Sequence, residues 1–168
     1  MLKSPAHLHL IDTLLDVFPD ARIVHTHRDP IKVCASVASL TATLRGASTD
    51  RIDLHEVGRQ QVDWWAKLID QSLRQRKRLA HKSEQFFDVT MSETVSDPLD
   101  VVRRIYAHFG YPLSHEVQAQ MLAFMKDNSR NKHGSHTYAA EDFGIDPVRD
   151  RAAFQDYIDY FGLAEPSR

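Results

Sequence analysis

The sequence has almost no cysteine: Cys34 is the only one among 168 residues. A single cysteine excludes an internal disulfide and any metal site built from paired cysteines. Cys34 lies among small apolar residues on a predicted helix, where a free thiol behaves as a small apolar side chain. We therefore expect a buried, structural cysteine.

Long apolar runs are also missing, since no stretch approaches the roughly 18 apolar residues that cross a bilayer. The first ten residues, MLKSPAHLHL, lack the succession of charged, apolar and small residues that marks a signal peptide. We therefore expect a soluble, cytoplasmic protein without a membrane span.

Neither sign of charge is in excess: 21 Lys and Arg stand against 23 Asp and Glu, a net charge of -2. No overall positive field exists to attract nucleic acid, so no nucleic-acid partner is expected. An anionic ligand must be held by a local arrangement of donors. The six glycines are scattered and form no cluster that would wrap a phosphate.

What the sequence does contain is a regular set of helix starts. A Ser or Asp before proline caps the first turn, and proline loses nothing at the first helical position. Such pairs stand at Ser4-Pro5, Asp29-Pro30, Asp97-Pro98 and Asp146-Pro147. Apolar periodicity predicts helices over about 5–18, 30–44, 55–80, 98–109, from 115 onwards, and 147–161.

Two short stretches, ARIVHTH at 21–27 and QFFDV at 85–89, are typical of strands. Strands that alternate with helices predict one α/β domain over residues 1–168 with parallel pairing. Two parallel strands make a poor core, because parallel sheets need cover on both faces and usually have more strands. The sequence thus indicates either further strands or a larger fold.

The stretch HTHRDPIKVCAS, residues 25–36, places an arginine where a strand passes into a helix. Amide groups and the dipole at a helix N-terminus favour an anion, and the guanidinium of Arg28 matches a phosphate. Ser36 lies seven residues after the predicted cap, about two turns, on the same helix face. The alternative is an ion pair between Arg28 and Asp29 or a neighbouring carboxylate, with Ser36 as a packing residue.

The segment KSPAHLHLIDTLLDVFPDARIVHTHRDPIKVCAS closely resembles the middle of bacterial sulfotransferases that use 3′-phosphoadenosine 5′-phosphosulfate (PAPS). DPLDVVRRIYAHFGYPLS resembles the family's helical segment after a later strand, and NKHGSHTYAAEDFG resembles the loop that closes over the nucleotide. The resemblance implies a partial P-loop-like sulfotransferase fold, with few parallel strands flanked by helices. It also implies transfer of a sulfuryl group from PAPS to a hydroxyl or amine of a small-molecule acceptor, without a metal.

The resemblance assigns the cofactor-binding residues. In that family an arginine at the end of a strand and a serine eight residues later bind the 3′-phosphate, and Arg28 and Ser36 keep this spacing. Lys132, His133 and Gly134 resemble the basic element with a glycine that completes the pocket. A solvated basic loop is the alternative for those three residues.

The resemblance also proposes catalytic residues. Lys3 and His7 resemble a lysine and a histidine near the acceptor site of related enzymes. A histidine suits the task of taking a proton from an attacking hydroxyl near neutral pH. The alternative for His7 is a hydrogen-bonded position at the edge of the core.

Two features depart from the family. Nothing before Lys3 resembles the strand and loop that wrap the 5′-phosphosulfate, so the chain resembles the central and C-terminal part of a sulfotransferase. The sequence Thr90-Met91-Ser92-Glu93 stands where many members have Tyr-Glu-Asp.

The alternative to an active sulfotransferase is a non-catalytic relative that binds adenosine 3′,5′-bisphosphate weakly or acts as an interaction domain. Its partner would be the missing N-terminal segment or a second copy of the chain.

Two histidines, His25 and His27, are candidate metal ligands. The side chains of His25 and His27 share one face of the predicted strand, as metal ligands often do. No third ligand follows at a characteristic spacing, and two polar side chains on a sheet edge explain the pair equally well. The sequence therefore predicts no metal site.

Overall fold

The computed structural model describes residues 2–128 and 138–163. They group into two compact units: a first unit of 2–19, 28–81 and 138–163, and a second unit of 20–27 and 82–128. Lys132, His133 and Gly134 lie outside the described residues. The single domain over residues 1–168 stays a prediction.

The first unit is helical. Its α-helices are α1 (Ile11–Val17), α2 (Pro30–Gly46), α3 (Leu54–Arg78) and α7 (Gln155–Phe161). The helices are numbered in chain order, so the three helices between α3 and α7 belong to the second unit. Shorter 3-10 helices span Pro5–Leu10, Glu141–Phe143 and Asp150–Phe154.

The second unit contains two strands and three α-helices among its described residues, and the 3-10 helix Ala80–Gln85 leads into it. These elements are β1 (Ile23–His27), β2 (Phe86–Thr90), α4 (Met91–Ser96), α5 (Pro98–His108) and α6 (His115–Asp127). The strands pair in parallel, with Ile23 opposite Phe86 and His27 opposite Thr90. The predicted α/β class with few parallel strands is confirmed. None of the described helices is long and apolar enough to cross a membrane.

The core of the first unit lies where α2 packs against α3. Small residues at the buried face of α2, Cys34, Ala35 and Ala38, leave room for larger side chains such as Trp65 of α3. Burial, and to a smaller extent the carboxylates of Asp150 and Asp29, raise the pKa of the Cys34 thiol to about 12. The expected burial of this free cysteine is confirmed.

Two of the four predicted helix starts act as caps of α-helices. Asp29 Oδ1 accepts a hydrogen bond from Lys32 N at 3.0 Å, and Asp97 Oδ1 accepts one from Asp100 N at 2.9 Å. Ser4-Pro5 instead precedes the 3-10 helix Pro5–Leu10, which turns into α1.

The predicted helix over 147–161 is wrong in its first half. Asp146 Oδ1 accepts from the amides of Val148 and Arg149, while its own amide donates to Asp150 Oδ2 at 2.8 Å. These local bonds hold the chain in a turn, because a short acidic side chain competes with helical hydrogen bonding. The α-helix begins only at Gln155.

The sequence analysis missed α4. Thr90 and Glu93 form a reciprocal capping box at its start, so the T-x-x-E pattern contained the signal. Glu93 Oε2 accepts from Thr90 N at 2.8 Å and from the Thr90 hydroxyl at 2.7 Å, and Arg104 donates to Glu93 Oε1 at 2.8 Å. These donors lower the pKa of Glu93 to about 2, the Thr90 amide contributing most.

We expect Glu93→Gln to lower the free energy of unfolding at pH 7 by about 1 kcal/mol at most, because the side chain is 42% exposed and solvent screens the charge. The folded pKa lies below the unfolded value of about 4.3. The stabilisation is therefore full above about pH 5 and is lost as the pH falls towards 2. Urea unfolding at pH 7, 5 and 3 measures this. Glu84→Gln, at an exposed glutamate of the same unit, is the control. A wild-type advantage that stays constant down to pH 3 would contradict the assignment.

Candidate functional site

The start of α2 is built around the Asp29 carboxylate. Asp29 caps the helix through Lys32 N, and its carbonyl accepts from Val33 N at 3.1 Å. Its Oδ2 pairs with the Arg151 guanidinium, and the two side chains are only 11% and 14% exposed. The acidic residue next to Arg28 is therefore neutralised by a different arginine, 122 positions away in sequence.

Arg28 is left without a protein partner in the part of the chain that the structure describes. Its side chain is exposed, and no hydrogen bond, ion pair or ring contact joins it to another residue among 2–128 and 138–163. The alternative in which Arg28 pairs with Asp29 or a neighbouring carboxylate is not observed among the described residues, where Asp29 pairs with Arg151 instead. A free guanidinium keeps all its donors for an anion.

The helix terminus itself contributes less than the sequence indicated. Pro30 has no amide hydrogen, and the amides of Lys32 and Val33 bond to Asp29. Three of the first four residues of α2, Pro30, Lys32 and Val33, thus offer no free backbone N–H group to an anion. An anion at this site must be held mainly by side chains.

Ser36 lies in the second turn of α2 and is half-buried. It follows the buried Cys34 by two residues and is therefore turned by about 200° from it around the helix axis. Ser36 consequently lies on the side of α2 opposite the packed face of Cys34, Ala35 and Ala38. Its hydroxyl has no hydrogen bond to another described residue.

A buried glutamine of α3 holds the segment that bears the predicted catalytic residues. Gln75 is 3% exposed; its Oε1 accepts from Ile11 N at 2.9 Å, and its Nε2 donates to His9 O at 2.8 Å. Both bonds fix the junction between the 3-10 helix and α1. His7 lies in that 3-10 helix, half-buried, and Lys3 precedes it on exposed chain.

The roles of Lys3 and His7 stay predictions. Neither side chain forms a hydrogen bond or ion pair with another residue in the described ranges. Among the described residues, no hydrogen bond therefore supports the alternative in which His7 is a hydrogen-bonded residue at the edge of the core.

Arg151 is a functional candidate that the sequence analysis missed, since no local sequence pattern connects it with Asp29.

A family model described as the sulfotransferase family matches residues 1–115. The chain belongs to this family, because the match covers more than half of its length. The predicted membership is confirmed.

Two curated relatives carry the same name, omega-hydroxy-beta-dihydromenaquinone-9 sulfotransferase Stf3, from Mycobacterium bovis and Mycobacterium tuberculosis. Each is 26% identical over 151 residues, which are 86% of this chain and 37% of the relative.

Two solved structures of mycobacterial sulfotransferases are also similar to this chain. Sulfotransferase STF9 from Mycobacterium avium matches 99% of this chain with 32% identity and a TM-score of 0.87. Sulfotransferase STF1 from Mycobacterium tuberculosis H37Rv matches 92% with 31% identity and a TM-score of 0.74. The chain spans 43% and 39% of those two proteins, so it has about two fifths of the length of the relatives it matches.

Proposed function

We propose that this protein binds the 3′-phosphate of PAPS with Arg28 and Ser36, and serves transfer of the sulfuryl group to a small-molecule acceptor in the cytoplasm. The observation that carries the proposal is the Arg28 guanidinium, which has no partner among the described residues and lies beside an aspartate already neutralised by Arg151. Because Asp29 is paired, its charge neither captures Arg28 nor fully opposes an incoming phosphate.

The two side chains divide the work. Arg28 supplies positive charge and a planar set of donors, which suit a phosphate held by two parallel hydrogen bonds. Ser36 supplies one neutral hydroxyl on the free side of α2. By the family resemblance, Lys132, His133 and Gly134 would complete the contacts to this phosphate.

Bound PAPS would supply the sulfuryl group for the transfer and would leave as adenosine 3′,5′-bisphosphate, with the negative charge on its 5′-phosphate oxygen. In our proposal His7 takes the proton from the acceptor as it attacks, and Lys3 adds positive charge near the acceptor. The curated relatives are named for an omega-hydroxy compound, which favours a hydroxyl over an amine as the acceptor group. The transfer itself needs no metal in this proposal.

The binding half of the proposal is tested by comparing adenosine 3′,5′-bisphosphate with adenosine 5′-monophosphate by calorimetry. We expect the bisphosphate to bind more tightly, because only it carries the 3′-phosphate. Arg28→Ala should weaken the bisphosphate by about 10- to 150-fold, from about 1.5–3 kcal/mol for a hydrogen bond to a charged group. Ser36→Ala should weaken it about fivefold, from about 1 kcal/mol.

Matched controls lie on the same helix. Arg45 is an exposed arginine near the other end of α2, and Ser39 is a half-buried serine one turn beyond Ser36. Arg45→Ala and Ser39→Ala should leave both affinities unchanged. If the two nucleotides bind equally weakly and neither Arg28→Ala nor Ser36→Ala alters the result, the 3′-phosphate site does not exist.

A further inference from the structure

The end of the short sheet brings two histidines and an aspartate together. His27 Nε2 lies 3.0 Å from Asp88 Oδ1, and His25 Nδ1 lies 3.7 Å from the same oxygen. The two imidazole rings approach to 4.1 Å between centroids. The three potential ligand atoms, one from each residue, all lie within 4.8 Å of one another.

The parallel register produces this cluster. His25 is the pairing partner of Asp88, so both side chains emerge on the same face of the sheet. His27 follows two residues later on the same strand and returns to that face. The sequence analysis lacked a third ligand because Asp88 is 61 positions from His27 and only strand pairing makes them neighbours.

The donor set suits zinc. Two imidazole nitrogens and one carboxylate oxygen are a common three-ligand combination for Zn²⁺, with a fourth position open to water. Bond lengths of about 2.0–2.2 Å in a tetrahedron place ligand atoms about 3.3 Å apart. The two distances to Asp88, 3.0 and 3.7 Å, bracket that value.

The surroundings suit a bound cation as well. The side chains of His27 and His25 are 2% and 10% exposed, whereas that of Asp88 is 35% exposed. The imidazoles are thus held in place by burial, and the carboxylate leaves a route from solvent. A site with fixed nitrogen ligands and an accessible oxygen requires little reorganisation to accept a metal.

We propose that His25, His27 and Asp88 bind a zinc ion that joins β1 to β2. The ion ties together two five-residue strands, with water as its fourth ligand, and takes no part in the transfer. Because a metal that binds only the folded state stabilises that state by mass action, zinc should raise the melting temperature. This inference is independent of the proposed PAPS site.

The test uses the full chain, purified without a histidine tag and stripped of metal with a chelator. Titration with ZnCl₂ should reveal one tight site per chain and a rise in melting temperature. Asp88→Asn and His25→Gln should each weaken zinc binding at least about 10-fold and remove the thermal shift. Asp88→Asn retains a side chain of the same shape at a partly exposed position, so it keeps the test decisive if a histidine variant fails to fold.

His115→Gln is the control, since His115 is an exposed histidine at the start of α6. It should leave zinc binding unchanged. Substitution of Co²⁺ for zinc should give the visible absorption of a four-coordinate site in the wild type and not in Asp88→Asn. The proposal is overturned if no one-to-one zinc complex forms, if Asp88→Asn binds as tightly as the wild type, or if His115→Gln removes the binding.

Discussion

Gly58→Ala is expected to destabilise the protein by about 3 kcal/mol, at the upper end of the usual cost of overpacking. A Cβ at this position of α3 would clash with the Phe143 carbonyl oxygen and lie 2.9 Å from Phe143 Cβ. The obstructing oxygen belongs to the backbone, so rotation of a side chain cannot relieve the contact. Alanine favours a helix over glycine by about 1 kcal/mol, which is too little to offset the clash.

Gly46→Ala is the matched control for this prediction. Gly46 ends α2, and the nearest atom to a Cβ there is Ile52 Cδ1 at an ordinary 3.6 Å. Chemical denaturation of both variants gives the comparison, with Gly46→Ala expected to be neutral or slightly stabilising. Equal stability of the two variants would show that α3 does not pack this closely on the segment that contains Phe143.

Arg151→Met is expected to destabilise the protein by about 3–5 kcal/mol, the usual cost of removing one partner of a buried ion pair. Methionine keeps much of the apolar volume but leaves the Asp29 carboxylate, only 11% exposed, without its counter-charge. The same variant should weaken binding of adenosine 3′,5′-bisphosphate, because the uncompensated carboxylate then competes for Arg28 and repels the phosphate. Denaturation and calorimetry measure the two effects separately.

Arg149→Met serves as the control for Arg151→Met. Arg149 is two positions away and is paired with Asp150, but its side chain is 68% exposed, so the stability should change little. Adding Asp29→Asn to Arg151→Met should recover part of both losses, since asparagine removes the unpaired charge and still caps α2. If the double variant binds and unfolds as the single variant does, the role assigned to Arg151 is wrong.

The sequence alone was a good guide wherever structure depends on neighbours along the chain. The strand over 21–27, the long helix over 55–80 and the caps at Asp29 and Asp97 all agree with the structure. Capping, periodicity and β-branched runs act within a few residues, which explains this success. The error near Asp146 arose where short-range hydrogen bonds compete with the helical ones, whereas α4 was missed although its T-x-x-E capping box could be read from the sequence.

The sequence by itself determined the family, the α/β class and the position of Arg28 directly after a strand. Only the tertiary structure decided that Arg28 has no partner among residues 2–128 and 138–163, since Asp29 pairs instead with Arg151, which lies far away in the chain. It likewise decided that Asp88 joins His25 and His27, since strand register alone makes them neighbours. Electrostatic pairing and metal ligation depend on distances of a few ångströms in space, and sequence separation does not encode those distances.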